Sequence, residues 1–100
     1  MDFMKVAGVD DLKDGEGKVC QANGKQIALF KHGGNFFALD NTCLHRGGPL
    51  GEGMLDGDSV VCPWHGWQYD LKTGVSNMNP ALKVAVFETK IQGKDVLVKV

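Results

Sequence analysis

Two short segments of the sequence each offer one cysteine and one histidine. Arm 1 (residues 43–48) begins with Cys43 and His45, and arm 2 (residues 62–66) contains Cys62 and His65. Sixteen residues separate His45 from Cys62. Thiolate sulfur and imidazole nitrogen are the protein ligands that hold zinc and iron–sulfur clusters. The pattern therefore predicts a metal centre built from both arms.

The residues around these ligands suit a bound cofactor. Gly47 and Gly48 follow His45 closely, and Gly66 follows His65 directly. Because glycine has no Cβ, its backbone N–H can approach a cofactor closely. Within arm 2, Pro63 fixes one backbone dihedral angle.

Two kinds of centre use two cysteines and two histidines. One is a tetrahedral zinc site, which would make the chain a zinc-stabilised binding module without a redox role. The other is a [2Fe–2S] cluster with both cysteines on one iron and both histidines on the other. Zinc fingers usually place the cysteine pair on one arm and the histidine pair on the other. Here each arm mixes the two, which favours the cluster.

The spacing Cys-x-His-x₁₆-Cys-x-x-His, with glycine close behind both histidines, resembles the motif of Rieske iron–sulfur proteins. The resemblance implies three antiparallel β-sheets with the cluster at their tip. It implies that Cys43 and Cys62 bind the inner iron, and that His45 and His65 bind the outer iron near solvent. It also implies a third, covering loop, for which 79–81 (Asn-Pro-Ala) is the candidate.

The ligand set and its surroundings predict a low reduction potential for a Rieske centre. Two thiolates and neutral imidazoles leave the oxidised site near neutral, so it accepts an electron more readily than an all-cysteine cluster does. High-potential relatives carry two further cysteines and a serine, where this sequence has Gly48, Trp64 and Trp67. With fewer hydrogen bonds to sulfur, we expect the low end of the family's range of roughly −150 to +300 mV.

The resemblance implies an electron carrier and not an enzyme. Rieske oxygenases need a further iron held by two histidines and a carboxylate. The chain has three histidines, and the cluster would use two. We expect a Rieske-type ferredoxin that takes electrons from a flavin-dependent reductase to a terminal oxygenase of the aromatic-ring-hydroxylating type. The alternative within the family is the Rieske-like small subunit of an assimilatory nitrite reductase.

Several other side chains have less specialised expected roles. We expect Cys20 to be an inert core thiol and His32 to be a solvated loop residue. Tyr69 is a candidate to donate its hydroxyl to a ligand sulfur, with simple packing as the alternative. Leu44, Pro49 and Leu50 could form a small apolar contact for a redox partner. Residues 41–75 carry a net charge of −2, which would suit a partner with a basic patch.

Composition limits the other possibilities. The chain has 100 residues, enough for one domain, and a net charge of −1 that gives no electrostatic basis for nucleic-acid binding. No apolar run is long enough to span a bilayer, and no signal peptide is visible. Three cysteines are too few for a disulfide scaffold. We therefore expect a soluble, cytoplasmic monomer that contacts neither membrane nor nucleic acid.

Short apolar runs separated by turn residues predict an all-β fold of antiparallel sheets, a sandwich or small barrel. The pair Asn23-Gly24 predicts a hairpin, and a second turn is expected at 32–35. A strand is expected over 83–89 because its side chains alternate. Residues 41–75 form a Gly-rich insert within the single domain 1–100, and only 59–61 and 67–71 read as strands there.

Overall fold

Ten short strands form three antiparallel sheets in the computed structural model, which describes residues 3–42, 49–64, 66–77 and 81–99. Within those ranges the remaining regular element is a 3₁₀ turn at Leu50–Glu52. The strands are β1 (Phe3–Gly8), β2 (Gly17–Ala22), β3 (Lys25–His32), β4 (Asn35–Asp40), β5 (Met54–Asp56), β6 (Ser59–Val61), β7 (Gln68–Asp70), β8 (Val86–Phe87), β9 (Thr89–Gln92) and β10 (Asp95–Lys99). The all-β expectation and its three sheets are confirmed.

The first sheet has the order β1-β10-β9, and the second has the order β2-β3-β4-β8. Two-residue turns connect the hairpins of the second sheet. Asn23 and Gly24 have φ values of 52° and 75°, and Gly33 and Gly34 have 60° and 81°. Positive φ at both central residues is the type I′ geometry that matches the twist of paired strands. Both predicted turns are therefore confirmed.

The third sheet, β5-β6-β7, lies within the Gly-rich insert. The sequence predicted β6 and β7 but missed β5, where Met54 pairs with Val61 and Asp56 pairs with Ser59. Three residues between glycines are too few to show an alternating pattern. This sheet carries arm 2 at the β6–β7 connection.

The predicted strand over 83–89 is wrong as a single element. Val86 and Phe87 pair with β4 in the second sheet, whereas Thr89 begins β9 in the first sheet. The chain changes sheets at Glu88, and Lys83 makes only an isolated bridge to Val75. Alternation gives the faces of a strand but not the sheet it joins, so the sequence could not show this break.

The central strand β3 divides the core into two clusters. Its residues Ile27 and Leu29 are buried on the face shared with the first sheet, and Ala28 and Phe30 are buried on the opposite face. This follows from the two-residue period of a strand that is covered on both sides. The second cluster joins the framework to the third sheet, and its members are Ala28, Phe30, Leu39, Leu50, Val60, Cys62, Tyr69, Leu71 and Val84. The third sheet is thus held against the framework by apolar packing.

The part of the chain that the structure describes contains no helix long and apolar enough to cross a membrane.

Candidate metal centre

The two ends of arm 1 are held together at its base. Thr42 and Pro49 form an isolated antiparallel bridge, and the N–H of Leu50 donates to the carbonyl oxygen of Asn41 at 2.8 Å. Residues 43–48 lie outside the described residues, so the roles of Cys43 and His45 stay predictions. What the structure places is the loop base, at the end of β4 where the framework meets the insert.

Arm 2 is the turn that connects β6 to β7. The N–H of Cys62 donates to the carbonyl oxygen of Trp67 at 2.7 Å and closes this turn. Gly66 has a φ of 74°, a conformation that favours glycine, and a Cβ there would meet nothing within 4 Å. His65 lies outside the described residues. Cys62 itself is 1% exposed and belongs to the second core cluster, so this ligand candidate starts from a fixed, buried position.

Two closely packed glycines, Gly51 and Gly53, lie in the segment that joins the two arms. After arm 1 the chain forms the 3₁₀ turn Leu50–Glu52, in which Gly51 packs on β2. A Cβ on Gly51 would lie 2.7 Å from a methyl carbon of Val19 and 2.9 Å from the carbonyl of Lys18. Gly53 then packs directly on the carbonyl oxygen of Val61, the residue before Cys62. These two close approaches fix the exit of arm 1 relative to the start of arm 2.

A cavity of about 460 Å³ opens between these segments. Its lining residues come from the exit of arm 1 and from arm 2, and they are Glu52, Gly53, Met54, Val61, Cys62, Pro63 and Gly66. Cys62 is one of the residues that line this cavity, and Gly66 has open space where a side chain would be. The described part of the site therefore leaves room for a metal cofactor beside a cysteine.

The expected covering loop begins beside arm 2. Asn77 donates its N–H to the carbonyl oxygen of Gln68 at 2.9 Å, and its side-chain Oδ1 accepts the N–H of Gln68 at 3.1 Å. Gln68 is the first residue of β7, two residues after the end of arm 2. Asn79 and Pro80 lie outside the described residues, so their covering role stays a prediction. The structure places Asn77, two residues before the expected loop, beside the first residue of β7.

The third cysteine, Cys20, belongs to a different core cluster from Cys62. Cys20 is buried in the first core cluster, between the first and second sheets, whereas Cys62 is in the second cluster. Burial raises the pKa of the Cys20 thiol above its ordinary value of 9.0, with Lys18 lowering it and Asp11 raising it to smaller extents. This position agrees with the expected core thiol.

The expectation for His32 is wrong. His32 is the last residue of β3 and not a loop residue, and its Nε2 lies 3.0 Å from Oδ1 of Asp58. Asp58 is in the β5–β6 turn, so the contact links the framework to the third sheet. A single histidine before a Gly-Gly turn gives no sequence signal for a partner 26 residues away.

The aromatic residues of the insert differ in exposure. Tyr69 is fully buried in the second core cluster, which also contains Cys62. Trp67 is partly buried and packs against the same core cluster. Trp64 is 49% exposed. Trp67 therefore helps to pack the insert against the framework. The hydrogen bond expected from the Tyr69 hydroxyl to a ligand sulfur stays a prediction.

The apolar contact surface expected from the sequence is partly wrong. Leu50, the first residue of the 3₁₀ turn, is fully buried and cannot contact a partner, and Leu44 lies outside the described residues. The exposed apolar side chains at this end are instead Met54, at 77%, and Trp64. Met54 was missed because the strand that presents it was missed.

Comparison with known proteins decides between a zinc site and an iron–sulfur cluster. The family model described as the Rieske [2Fe–2S] domain matches residues 2–90. The chain belongs to the Rieske [2Fe–2S] domain family. Its cofactor is therefore a Rieske-type [2Fe–2S] cluster, and the zinc alternative is set aside. When bound, this cluster takes up and releases one electron at a time.

Two related ferredoxins and one solved structure of similar fold show what the chain resembles. The biphenyl dioxygenase ferredoxin subunit of Pseudomonas sp. (strain KKS102) is 36% identical over 100 residues, covering 98% of this chain and 92% of that protein. The ferredoxin solved as a complex of reduced oxygenase and oxidised ferredoxin in carbazole 1,9a-dioxygenase is 31% identical, with a TM-score of 0.86 over 96% of this chain and 100% of its own. The putative NADH-dependent nitrite reductase small subunit of Mycobacterium tuberculosis has a TM-score of 0.90 over 97% and 93% of the two chains, but at 21% identity it shows the fold alone.

The full-length likeness to ferredoxins identifies the kind of activity. Relatives such as the biphenyl dioxygenase ferredoxin subunit are electron-transfer components and not catalysts. This chain is accordingly a Rieske-type ferredoxin, a one-electron carrier like these relatives.

Proposed function

We propose that this ferredoxin passes single electrons from a flavin-dependent reductase to a terminal oxygenase of the aromatic-ring-hydroxylating type. The observation that carries the proposal is the likeness, over 96% of this chain, to a ferredoxin whose solved structure is a complex with its oxygenase. The nitrite reductase alternative has only a shared fold in its support.

The proposed ligands are Cys43 and Cys62 on the inner iron and His45 and His65 on the outer iron. The buried position of Cys62, in the wall of the cavity between the arms, supports the sulfur side of this assignment. The closed bases of both arms support it too, because they place the ends of both proposed ligand segments on connected elements. In this arrangement residues 1–100 form one Rieske domain, and about 41–75 form its cluster-binding subdomain.

The proposed contact surface for the redox partners lies around β5 and arm 2. Met54 and Trp64 form its apolar centre, and Met54 shares the cavity wall with Cys62. The described residues of 49–77 contain four acidic side chains (Glu52, Asp56, Asp58, Asp70) and one basic side chain (Lys72). A partner with an apolar patch and a basic rim would complement this surface. Such electron-transfer contacts are small and transient.

The proposal describes a cytoplasmic monomer. A reducing compartment suits a chain whose cysteines are expected to be ligands or core thiols and not disulfides. Transient docking of one cluster-bearing end needs no second copy of the chain.

Stopped-flow reoxidation tests the proposal. The protein is reduced with dithionite without oxygen and mixed with an oxidised terminal oxygenase of a biphenyl dioxygenase system. We expect visible bleaching to reverse at a rate that rises with oxygenase concentration, and product to form once reductase, NADH, substrate and oxygen are added. Failure to reoxidise, together with stable co-purification with a nitrite reductase large subunit, would overturn the proposal in favour of the alternative.

A further inference from the structure

Asn41 is a buried polar residue at the junction of the framework and arm 1. It is 4% exposed and follows β4 directly. Its side-chain Oδ1 accepts the N–H of Gly51 at 2.7 Å, and its carbonyl oxygen accepts the N–H of Leu50 at 2.8 Å. Both donors belong to the 3₁₀ turn that follows arm 1, so one residue holds the entrance and the exit of this arm together.

The other side of Asn41 is bound to the framework. Its N–H donates to the carbonyl oxygen of Gln26 at 3.2 Å, and its Nδ2 lies 3.5 Å from the Oε1 of the same residue. Gln26 is in β3, the strand that is buried on both faces. Asn41 therefore connects the best-buried strand of the fold to both ends of arm 1.

The bond to Gly51 has no ready substitute. Gly51 is fully packed against β2, where even a Cβ would collide with Val19 and the carbonyl of Lys18. Its N–H is buried with Asn41 Oδ1 as acceptor. A buried donor that loses its acceptor is strongly disfavoured, so the turn would move to find another partner. Movement of this turn displaces the exit of arm 1.

We propose that Asn41 is a positioning residue for the cluster, acting through arm 1. The inference rests on the proposed ligand set, in which Cys43 follows Asn41 by two residues. By holding both ends of arm 1 on β3, Asn41 would restrict the positions open to the proposed ligands of that arm. Supporting hydrogen bonds orient metal ligands and strengthen their hold on the cofactor.

Three variants test this role. Asn41→Ala removes the acceptor, Asn41→Asp retains an oxygen of the same reach, and Asn35→Ala is the control at an exposed asparagine of β4. The measurements are the rate of cluster loss to a chelator, followed by visible absorption, and the EPR spectrum of the cluster that remains. Far-UV circular dichroism and a urea titration report the fold separately.

We expect Asn41→Ala to lose its cluster at least about tenfold faster than the wild type, as for outer-shell partners of metal ligands. Its remaining EPR signal should broaden, because arm 1 samples several placements. The rate of cluster loss in Asn41→Asp should lie close to that of the wild type, and the rate in Asn35→Ala should equal it.

Two results would overturn the proposal. One is an Asn41→Ala protein that keeps its cluster as long as the wild type and gives the same EPR line shape. The other is a folded Asn41→Asp protein that loses its cluster about tenfold faster than the wild type, a comparison that does not need the alanine variant to fold. Neither result depends on the redox partners. A wrong ligand set would appear instead in the EPR spectrum of the wild type.

Discussion

Gly53 and Val61 lie closer together than any side chain on Gly53 would allow. A Cβ on Gly53 would collide with the carbonyl oxygen of Val61, and it would also lie 3.1 Å from the carbonyl oxygen of Leu50. Since Val61 precedes Cys62, this contact sets how the connection from arm 1 meets arm 2. The backbone of Gly53, with φ of −77° and ψ of 172°, is accessible to any residue. The requirement for glycine is therefore one of space.

Substituting Gly53→Ala should destabilise the protein and reduce its iron content. Relief of the collision must push β5 away from β6, and overpacking of this kind costs about 1–3 kcal/mol. Urea unfolding and iron per chain measure the two effects. The control is Gly8→Ala, whose Cβ would meet its nearest neighbours at 3.5 Å or more and should change neither quantity. Equal behaviour of the two variants would show that the approach of Gly53 to Val61 is unimportant.

The Cys20 thiol should make stability fall at alkaline pH. Its folded pKa is raised by burial, so the unfolded chain begins to ionise near 9.0 while the folded chain does not. The free energy of unfolding then falls as pH rises from about 9 towards the folded pKa, by at most about 1.4 kcal/mol per pH unit. Below pH 8 the group contributes no pH dependence.

Urea unfolding of the wild type and of Cys20→Ala between pH 7 and 10.5 measures this effect as a difference. The gap between the two proteins should narrow or reverse above pH 9, and a constant gap would contradict the prediction. The visible spectrum of Cys20→Ser should stay that of the wild type, since this thiol is not a proposed ligand. A colourless Cys20→Ser protein would mean that the ligands are assigned to the wrong thiols.

Substitutions on β5 should slow electron transfer to the oxygenase. Met54 and Asp56 are two residues apart on one strand, and both are exposed. Met54→Gln removes apolar contact, and Asp56→Lys reverses a charge that would attract a basic rim. We expect the second-order rate constant to fall about three- to tenfold for each, with a weaker dependence on ionic strength for Asp56→Lys.

The matched controls for these β5 variants are Met4→Gln and Asp10→Lys. Met4 is 41% exposed on β1, and Asp10 is exposed in the turn after it. Both lie in the framework, so their rate constants should stay at the wild-type value. If all four variants transfer electrons equally fast, the partner does not dock around Met54.

Removal of the Tyr69 hydroxyl should lower the reduction potential. We expect the wild-type midpoint at the low end of the family's range, and a hydrogen bond from Tyr69 to a ligand sulfur would stabilise the extra electron. Loss of one such bond, about 0.5–1.5 kcal/mol, corresponds to about 20–60 mV for a one-electron couple. Voltammetry of Tyr69→Phe measures the shift. An unchanged midpoint potential would show that Tyr69 serves only to pack the apolar core around Cys62.

Much of the framework could be predicted because its signals are local. The turn residues Asn23-Gly24 and Gly33-Gly34 specify their own backbone geometry, so the hairpins of the second sheet followed from the sequence. The switch of sheets at Glu88 could not be predicted, since the alternating pattern is the same in either sheet. The exposure of a single apolar residue cannot be predicted from the sequence pattern either, and for this reason the expectation that Leu50 lies at the surface is wrong.

The candidate site divides in the same way. The characteristic spacing of two cysteines and two histidines predicted the ligands, because few functions other than metal binding need these residue types together. The residues that hold the arms gave no such signal. Asn41, Gly51 and Gly53 are common loop residue types, and their roles depend on neighbours such as Gln26 that are distant in sequence.

EPR spectroscopy of the dithionite-reduced protein, labelled with ¹⁵N-histidine, tests the central claim most directly. If His45 and His65 bind one iron, the average g value lies below that of an all-cysteine cluster, and two directly bound nitrogens couple to the electron spin. His32→Ala should leave this spectrum unchanged, and His65→Ala should abolish it. An all-cysteine spectrum without nitrogen coupling, or a coupling that disappears in His32→Ala, would contradict the account.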